Sequence, residues 1–212
     1  MINGESADIA GYKYVHAQSN PAHKYLLPAV TEILNTIKIE KAVDVIFELG
    51  CWNGAIANAL SELGYSIVGI DPSAQGIQLA NQHYPHLRLF NGSAYDDLSA
   101  QYGHFKIVLS LEVVEHIYFP RKYATTLFDL VAQGGTAIVS TPYHGYLKNL
   151  ALALSGKMDN HFTALWDYGH IKFWSVKTLT CLLKEAGFNE IAFRKVGRIP
   201  SLAKSMIAIA RR

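Results

Sequence analysis

The sequence has few of the features that mark secreted, membrane-spanning or nucleic-acid-coating proteins. Only two cysteines occur, Cys51 and Cys181, which is too few for a disulfide framework and fits a reducing cytoplasm. Charge is sparse as well, with 17% charged residues and a formal net charge of +2, so no broad field exists for nucleic acid or a lipid surface. The longest apolar stretch, 147–154, is interrupted by Lys148 and Asn149 and falls far short of the ~20 residues of a membrane-spanning helix. Residues 1–10 are polar and acidic, without the basic-then-apolar order of a signal peptide. These absences lead to the expectation of a soluble, cytoplasmic protein that acts on a small molecule, with nucleic acid not expected as a partner. The cations that gather towards the C-terminal end, Arg194, Lys195, Arg198, Lys204, Arg211 and Arg212, read as a solvated face.

Half of the 212 residues are hydrophobic. That suffices for one domain, 1–212, with a full core, and leaves apolar surface for a homodimer contact or a greasy substrate. An aromatic-rich arm around Tyr12, Tyr14 and His16 precedes a helical pattern over 24–37, so that 1–40 forms an N-terminal arm and helix. The arm could fold over a bound cofactor. Strands are expected at 43–49, 65–70, 87–90, 105–110 and 136–140, with helices at 55–63, 73–84 and 119–131 between them. Such alternation calls for a parallel sheet with right-handed crossovers. The irregular stretch 143–174 is too long for a plain connection and is expected to cap the site. A helix over 175–187 and two strands, 188–196 and 205–210, close the chain. With no helix between them, those strands should pair antiparallel.

The first strand ends in Gly50-Cys51-Trp52-Asn53-Gly54, a strand, tight turn and helix start of the kind that holds a nucleotide in an α/β sheet. Asp71 closes the second strand, where a carboxylate can accept both hydroxyls of a ribose. After the fourth strand, Glu112, Glu115 and His116 are spaced i, i+3 and i+4, which on a helical turn would put them on one face. Two carboxylates and an imidazole could hold a divalent ion together with a further group. Equally, glutamates at a helix start suit the helix dipole, and His116 alone could serve as a general base.

Glu48-Leu49-Gly50-Cys51-x-x-Gly54, Gly69-Ile70-Asp71-Pro72-Ser73, the 105–110 strand and Gly134-Gly135 before a strand together resemble class I S-adenosylmethionine-dependent methyltransferases. The resemblance implies a Rossmann-like, doubly wound seven-stranded sheet with its last strand antiparallel, and S-adenosylmethionine as cofactor. It places Glu48 and Gly50, Cys51 and Gly54 beside the cofactor's amino-acid part, Asp71 with Pro72 at the ribose, and Gly92, Ser93 and Ala94 by the adenine. Ser110 and Leu111 complete that lining. Trp52 stands where the family usually has glycine, so it must point away from the cofactor or narrow its pocket. Ser93 stands where an acid is common.

The 111–117 segment is similar to its counterpart in ubiquinone-biosynthesis O-methyltransferases and small-RNA 2′-O-methyltransferases, where such a cluster holds a metal. Gly169-His170-Ile171-Lys172-Phe173-Trp174 is similar to a histidine-bearing segment of the RNA enzymes. The resemblance therefore implies a divalent metal, magnesium or similar, on Glu112, Glu115, His116 and His170, with His116 and Glu112 as the catalytic pair; the leucines and aromatics of 143–174 suit a small, aromatic or lipid-like hydroxyl acceptor, or else burial on the sheet or at a dimer contact. Two other readings stay open. One is a dinucleotide dehydrogenase, for which Tyr118 and Lys122 have one family's spacing; the other is a non-catalytic cofactor-binding protein.

Overall fold

The computed structural model describes residues 21–41, 43–167 and 169–212. The aromatic arm before residue 21 and Tyr168 of the expected cap lie outside the described residues. Seven strands form one sheet: β1 Val45–Leu49, β2 Ser66–Asp71, β3 Arg88–Asn91, β4 Phe105–Leu111, β5 Val131–Pro142, β6 Glu190–Val196 and β7 Ser205–Arg211. Their order is β3-β2-β1-β4-β5-β7-β6. The pairs from β3 across to β5 are parallel, while β7 runs antiparallel to both β5 and β6. This is the doubly wound sheet expected from the sequence.

Both faces of the central strands are buried, because successive side chains alternate across a strand. Ile46, Ile67 and Ile107 meet α1 His23–Thr36, α2 Ala55–Glu62 and α3 Ala74–His83 on one side. Phe47, Val68 and Val108 meet α4 Leu98–Tyr102, α5 Pro120–Leu130 and α8 Val176–Ala186 on the other. Helix α1 docks through Leu26, Val30, Ile33 and Leu34, all buried. Helix α8 starts on Ser175, whose hydroxyl accepts from the Thr178 amide, and ends at left-handed Gly187.

Several boundaries differ from expectation. The Gly134-Gly135 turn does not precede β5 but lies inside it, where the register against β4 slips between Phe105 and Ile107. Helix α4 had no periodic signal at its length; Asp97, which caps it, was its one mark. The 143–174 stretch carries α6 Tyr146–Leu154 and α7 Met158–Phe162. The C-terminal cations are not uniformly a solvated face. The Arg212 guanidinium donates to the Phe128, Asp129 and Val131 carbonyls at the end of α5, satisfying acceptors that a helix end leaves open.

Candidate active site

The chain leaves β1 in one direction towards β2 and returns on its other side as β4, and the crevice of such a sheet opens at the carboxyl ends of those strands. Gly50 and Gly54 build the turn there, with φ of 85° and 76°. A side chain on Gly50 would collide with Val113, so the turn and the loop after β4 can approach only because this residue has none. Glu48 is buried, and its Oε2 has no hydrogen-bond partner. Burial first, then the neighbouring Asp71 carboxylate, pushes the Glu48 carboxyl up to about 8. Asp71 accepts from the Trp52 amide (3.0 Å) and the Ser73 amide (2.9 Å). The Asn91 side chain, which sequence reasoning passed over, donates to the Asp71 and Pro72 carbonyls and steadies this corner.

The remaining residues expected at the cofactor fall in three places. Leu111 and Cys51 line a narrow cleft of about 20 Å³ together with Glu48, Trp52, His23 and Glu112. The Cys51 thiol also packs against Gly69. Ser110 is buried and its hydroxyl donates to the Leu49 carbonyl, so it ties β4 to β1. Gly92, Ser93 and Ala94 follow β3, where the Ser93 amide donates to Asp96. Trp52, at φ 53°, points along the crevice: it walls the cleft and meets His116 edge-on, ring centroids 5.7 Å apart.

The loop after β4 departs from the expected shared helical face. Glu112 has φ 56° and only Val114–His116 forms a 3₁₀ turn. With a left-handed residue at its start, the segment is not the regular helical turn that the spacing presumes. The Glu112 carboxylate instead accepts from the Ser140 hydroxyl (2.8 Å) and the Ser205 hydroxyl (3.3 Å). Among the described residues, the group whose ligand atoms come together is Glu115, His116 and His170, all within 4.8 Å of one another. Glu112 is not part of it.

His170 reaches this place through backbone bonds. The Ile171 and Lys172 amides both donate to the Glu115 carbonyl, and the Trp174 indole donates to the Val114 carbonyl. The His116 and His170 rings lie 4.9 Å apart, with Trp166 edge-on to both. Burial and then the nearby histidines lower His170 to about 4, so it is a neutral imidazole at neutral pH. Both oxygens of the buried Glu115 carboxyl are without partners; burial and then Glu112 raise it far above the usual carboxylate range. Burial raises Glu112 to about 7 against the pull of its two serine hydroxyls.

Beside this cluster lies a cavity of about 470 Å³ lined by Glu112, His170, His144, His161, Lys148 and Arg198, among others. His144 is buried, and it packs with His161 and Phe173. Burial, helped by Lys148 and His161, lowers it to about 4. Sequence reasoning missed His161, Lys148 and Arg198 as site residues. No periodicity marks them, because two lie on segments read as irregular and one in a strand connection.

A family model described as a methyltransferase domain matches residues 21–192. A ubiquinone biosynthesis O-methyltransferase from Cereibacter sphaeroides is 31% identical over 153 residues, which are 69% of this chain and 60% of that protein. One from a Caulobacter species is 34% identical over 115 residues, 52% of this chain and 45% of that protein. The chain thus spans between 45% and 60% of the length of these curated relatives. The solved methyltransferase domain of bacterial CtHen1 superposes with a TM-score of 0.68 at 19% identity, covering 91% of this chain and 100% of that one. A SAM-dependent methyltransferase from Archaeoglobus fulgidus gives 0.66 at 15%, covering 88% and 93%. At those identities the structures establish a shared fold. No helix among the described residues is long and apolar enough to cross a membrane.

Proposed function

The chain belongs to the methyltransferase-domain family, and on that premise we propose that it transfers the methyl group of S-adenosylmethionine to a hydroxyl of a small acceptor seated in the 470 Å³ cavity. The observation that carries the oxygen acceptor is the meeting of Glu115, His116 and His170 next to that cavity. A hydroxyl must lose a proton as it attacks, whereas a neutral amine can attack with its lone pair. A base or charge-stabilising group at the acceptor therefore favours oxygen.

The residues present fit the cofactor. Glu48 offers a buried oxygen without a partner, suited to an ammonium, and Asp71, oriented by the Trp52 and Ser73 amides, suits ribose hydroxyls. S-adenosylmethionine, when bound, supplies a methyl carbon already activated by its sulfonium. The protein's part is then alignment: Trp52 and Glu112 border both sides of the crevice, and His116 accepts the acceptor proton. In place of His116 as base, the Glu115 oxygens and the two imidazoles would hold a divalent ion. Two imidazole donors suit a first-row transition ion better than the magnesium expected from the sequence. Such an ion, when bound, would lower the acceptor hydroxyl's pKa.

An acceptor with an apolar portion is supported by Ala151 and Leu152 of α6 and Leu202, which line the cavity; the outer face of α6, where Tyr146, Leu147, Leu150 and Leu154 are exposed, would serve a homodimer. Free Cys51 and Cys181 agree with a reducing, cytoplasmic setting. The dehydrogenase reading loses its motif, since Tyr118 is 68% exposed and Pro120 begins α5 after it.

Calorimetry and a methyl-transfer screen test the proposal. S-adenosylhomocysteine should bind and NAD should not, and hydroxyl compounds should be methylated in preference to their amine analogues. Binding of NAD alone, or transfer to amines only, overturns it. Loss of turnover on chelation, restored by manganese or zinc better than by magnesium, would establish the metal.

A further inference from the structure

The acceptor cavity is lined by Lys148 from α6 and by Arg198 and Lys204 from the β6–β7 connection, against a single carboxylate, Glu112. Glu112 is already bound to two serine hydroxyls. Elsewhere Lys106, Arg121, Arg194 and Arg211 find acids in Asp44, Glu185, Glu32 and Glu190. Among the described residues no carboxylate lies within ion-pair distance of Lys148, Arg198 or Lys204.

The Lys148 ammonium is also fixed in place. It donates to the Tyr143 carbonyl at 2.8 Å and to the Lys204 carbonyl at 3.4 Å. An ammonium has three donors, so one is left for a ligand. Lys148 and Arg198 line the same cavity, and burial and then the Arg198 charge lower Lys148 to about 8. Glu112 offsets part of the Lys148 charge, but three cations against one carboxylate on this wall leave an excess of like charge that is costly, and a bound anion relieves that cost through charge-assisted hydrogen bonds.

We propose that the methyl acceptor carries an anionic group, a carboxylate or a phosphate, gripped by Lys148 and Arg198 on the wall of this cavity. The proposal rests on the methyl-transfer reading for the word acceptor, while the anion site stands on its own residues. The acceptor is then a bifunctional molecule, with its hydroxyl towards His116 and His170 and its acid towards α6. Arg198, exposed and fork-shaped, matches either oxyanion in two-point contact.

The test uses the full chain loaded with S-adenosylhomocysteine and measures binding of inorganic phosphate, 4-hydroxybenzoate, 4-hydroxyphenyl phosphate and methyl 4-hydroxybenzoate by calorimetry. The anionic probes should bind, and the ester should bind at least about tenfold more weakly than its acid. Tighter binding of the phosphate ester than of the carboxylate assigns a phosphorylated acceptor, and the reverse assigns a carboxylic acid. Arg198→Ala and Lys148→Met should each weaken the anionic probes about tenfold and leave the ester and S-adenosylhomocysteine unaffected. Arg198 is exposed, so its variant reports on binding even where Lys148→Met disturbs the fold. Equal binding of acid and ester, failure of every anionic probe to bind, or indifference to Arg198→Ala overturns the proposal. Failure of S-adenosylhomocysteine to bind, with phosphate still held by Lys148 and Arg198, would instead sink the methyl-transfer reading and leave the anion site.

Discussion

The two ends of the crevice are made in different ways. The proposed cofactor end is built chiefly on one strand, turn, helix and strand, from Glu48 to Asp71, with His23, Leu111 and Glu112 closing its cleft. The acceptor end is assembled from separate pieces: the loop after β4, the 143–161 segment with α6 and α7, the 169–174 segment and the β6–β7 connection. At the first end the backbone does most of the holding, since Asp71 is positioned by the amides of Trp52 and Ser73. At the second, side chains from distant segments meet only because strand and loop hydrogen bonds bring them there, as when Glu115 accepts from Ile171 and Lys172. The difference teaches that a locally encoded end can serve many chemistries, while the assembled end selects one.

That division has measurable consequences. The largest effect is expected at the acceptor end: His116→Ala should lower turnover by about 10²- to 10⁴-fold, the usual contribution of general acid–base catalysis, with S-adenosylhomocysteine affinity retained. Asp71→Ala should do the reverse and weaken S-adenosylhomocysteine by roughly tenfold to a hundredfold through lost charge-assisted hydrogen bonds. If both variants lost affinity and turnover in the same proportion, the two ends would not be separable.

A smaller effect concerns protons. The Glu48 carboxyl titrates at about 8 in the folded protein against 4.5 ordinarily, so the folded state keeps a proton that the unfolded chain releases. Its contribution therefore lowers the stability of the ligand-free protein as pH rises from about 4.5 to about 8, with no further change above. Asp71, Cys51 and His23 line or face the same cleft, and Glu112 titrates at about 7, so the comparison must be made against Glu48→Gln. That variant should show a shallower fall in melting temperature across this window. Pairing of Glu48 with an ammonium would also expel its proton. Calorimetry at pH 7 in buffers of different ionisation enthalpy should accordingly find proton release on S-adenosylhomocysteine binding to the wild type and none from this group in Glu48→Gln.

The smallest effect tests the wall between the ends. Trp52 sits at φ 53°, a conformation that costs a non-glycine residue about 1–2 kcal/mol. Trp52→Gly should bind S-adenosylhomocysteine as tightly as the wild type or more so, since the cleft widens. Turnover should fall a few-fold as His116 loses its edge contact. Weaker cofactor binding would show that the indole is part of the cofactor site.

Much of this was legible in the residues. The alternation of apolar runs with helical spacing revealed the sheet because burial on both faces leaves a periodic trace, and Gly50, Gly54 and Asp71 marked the turn after β1 and the end of β2 because they lie close together in the chain. The metal-ligand expectation was legible only in part. Glu115, His116 and His170 do come together, but the i, i+3, i+4 spacing presumed a regular helix. A left-handed Glu112, held by Ser140 on β5 and Ser205 on β7, broke that presumption. Likewise Arg198 and Lys204 read as surface charge and are exposed, but only the fold sets them on a cavity wall with Lys148.

By itself, then, the amino-acid sequence determined the parallel sheet, the glycine turn and the carboxylate at the second strand, all consequences of short-range sterics and periodic burial. Tertiary structure alone decided which carboxylate joins the histidines, where Trp52 points, and that Lys148 and Arg198 share a cavity wall. Those contacts link residues far apart in the chain, and their geometry depends on strand pairing and a single left-handed residue, neither of which leaves a periodic mark.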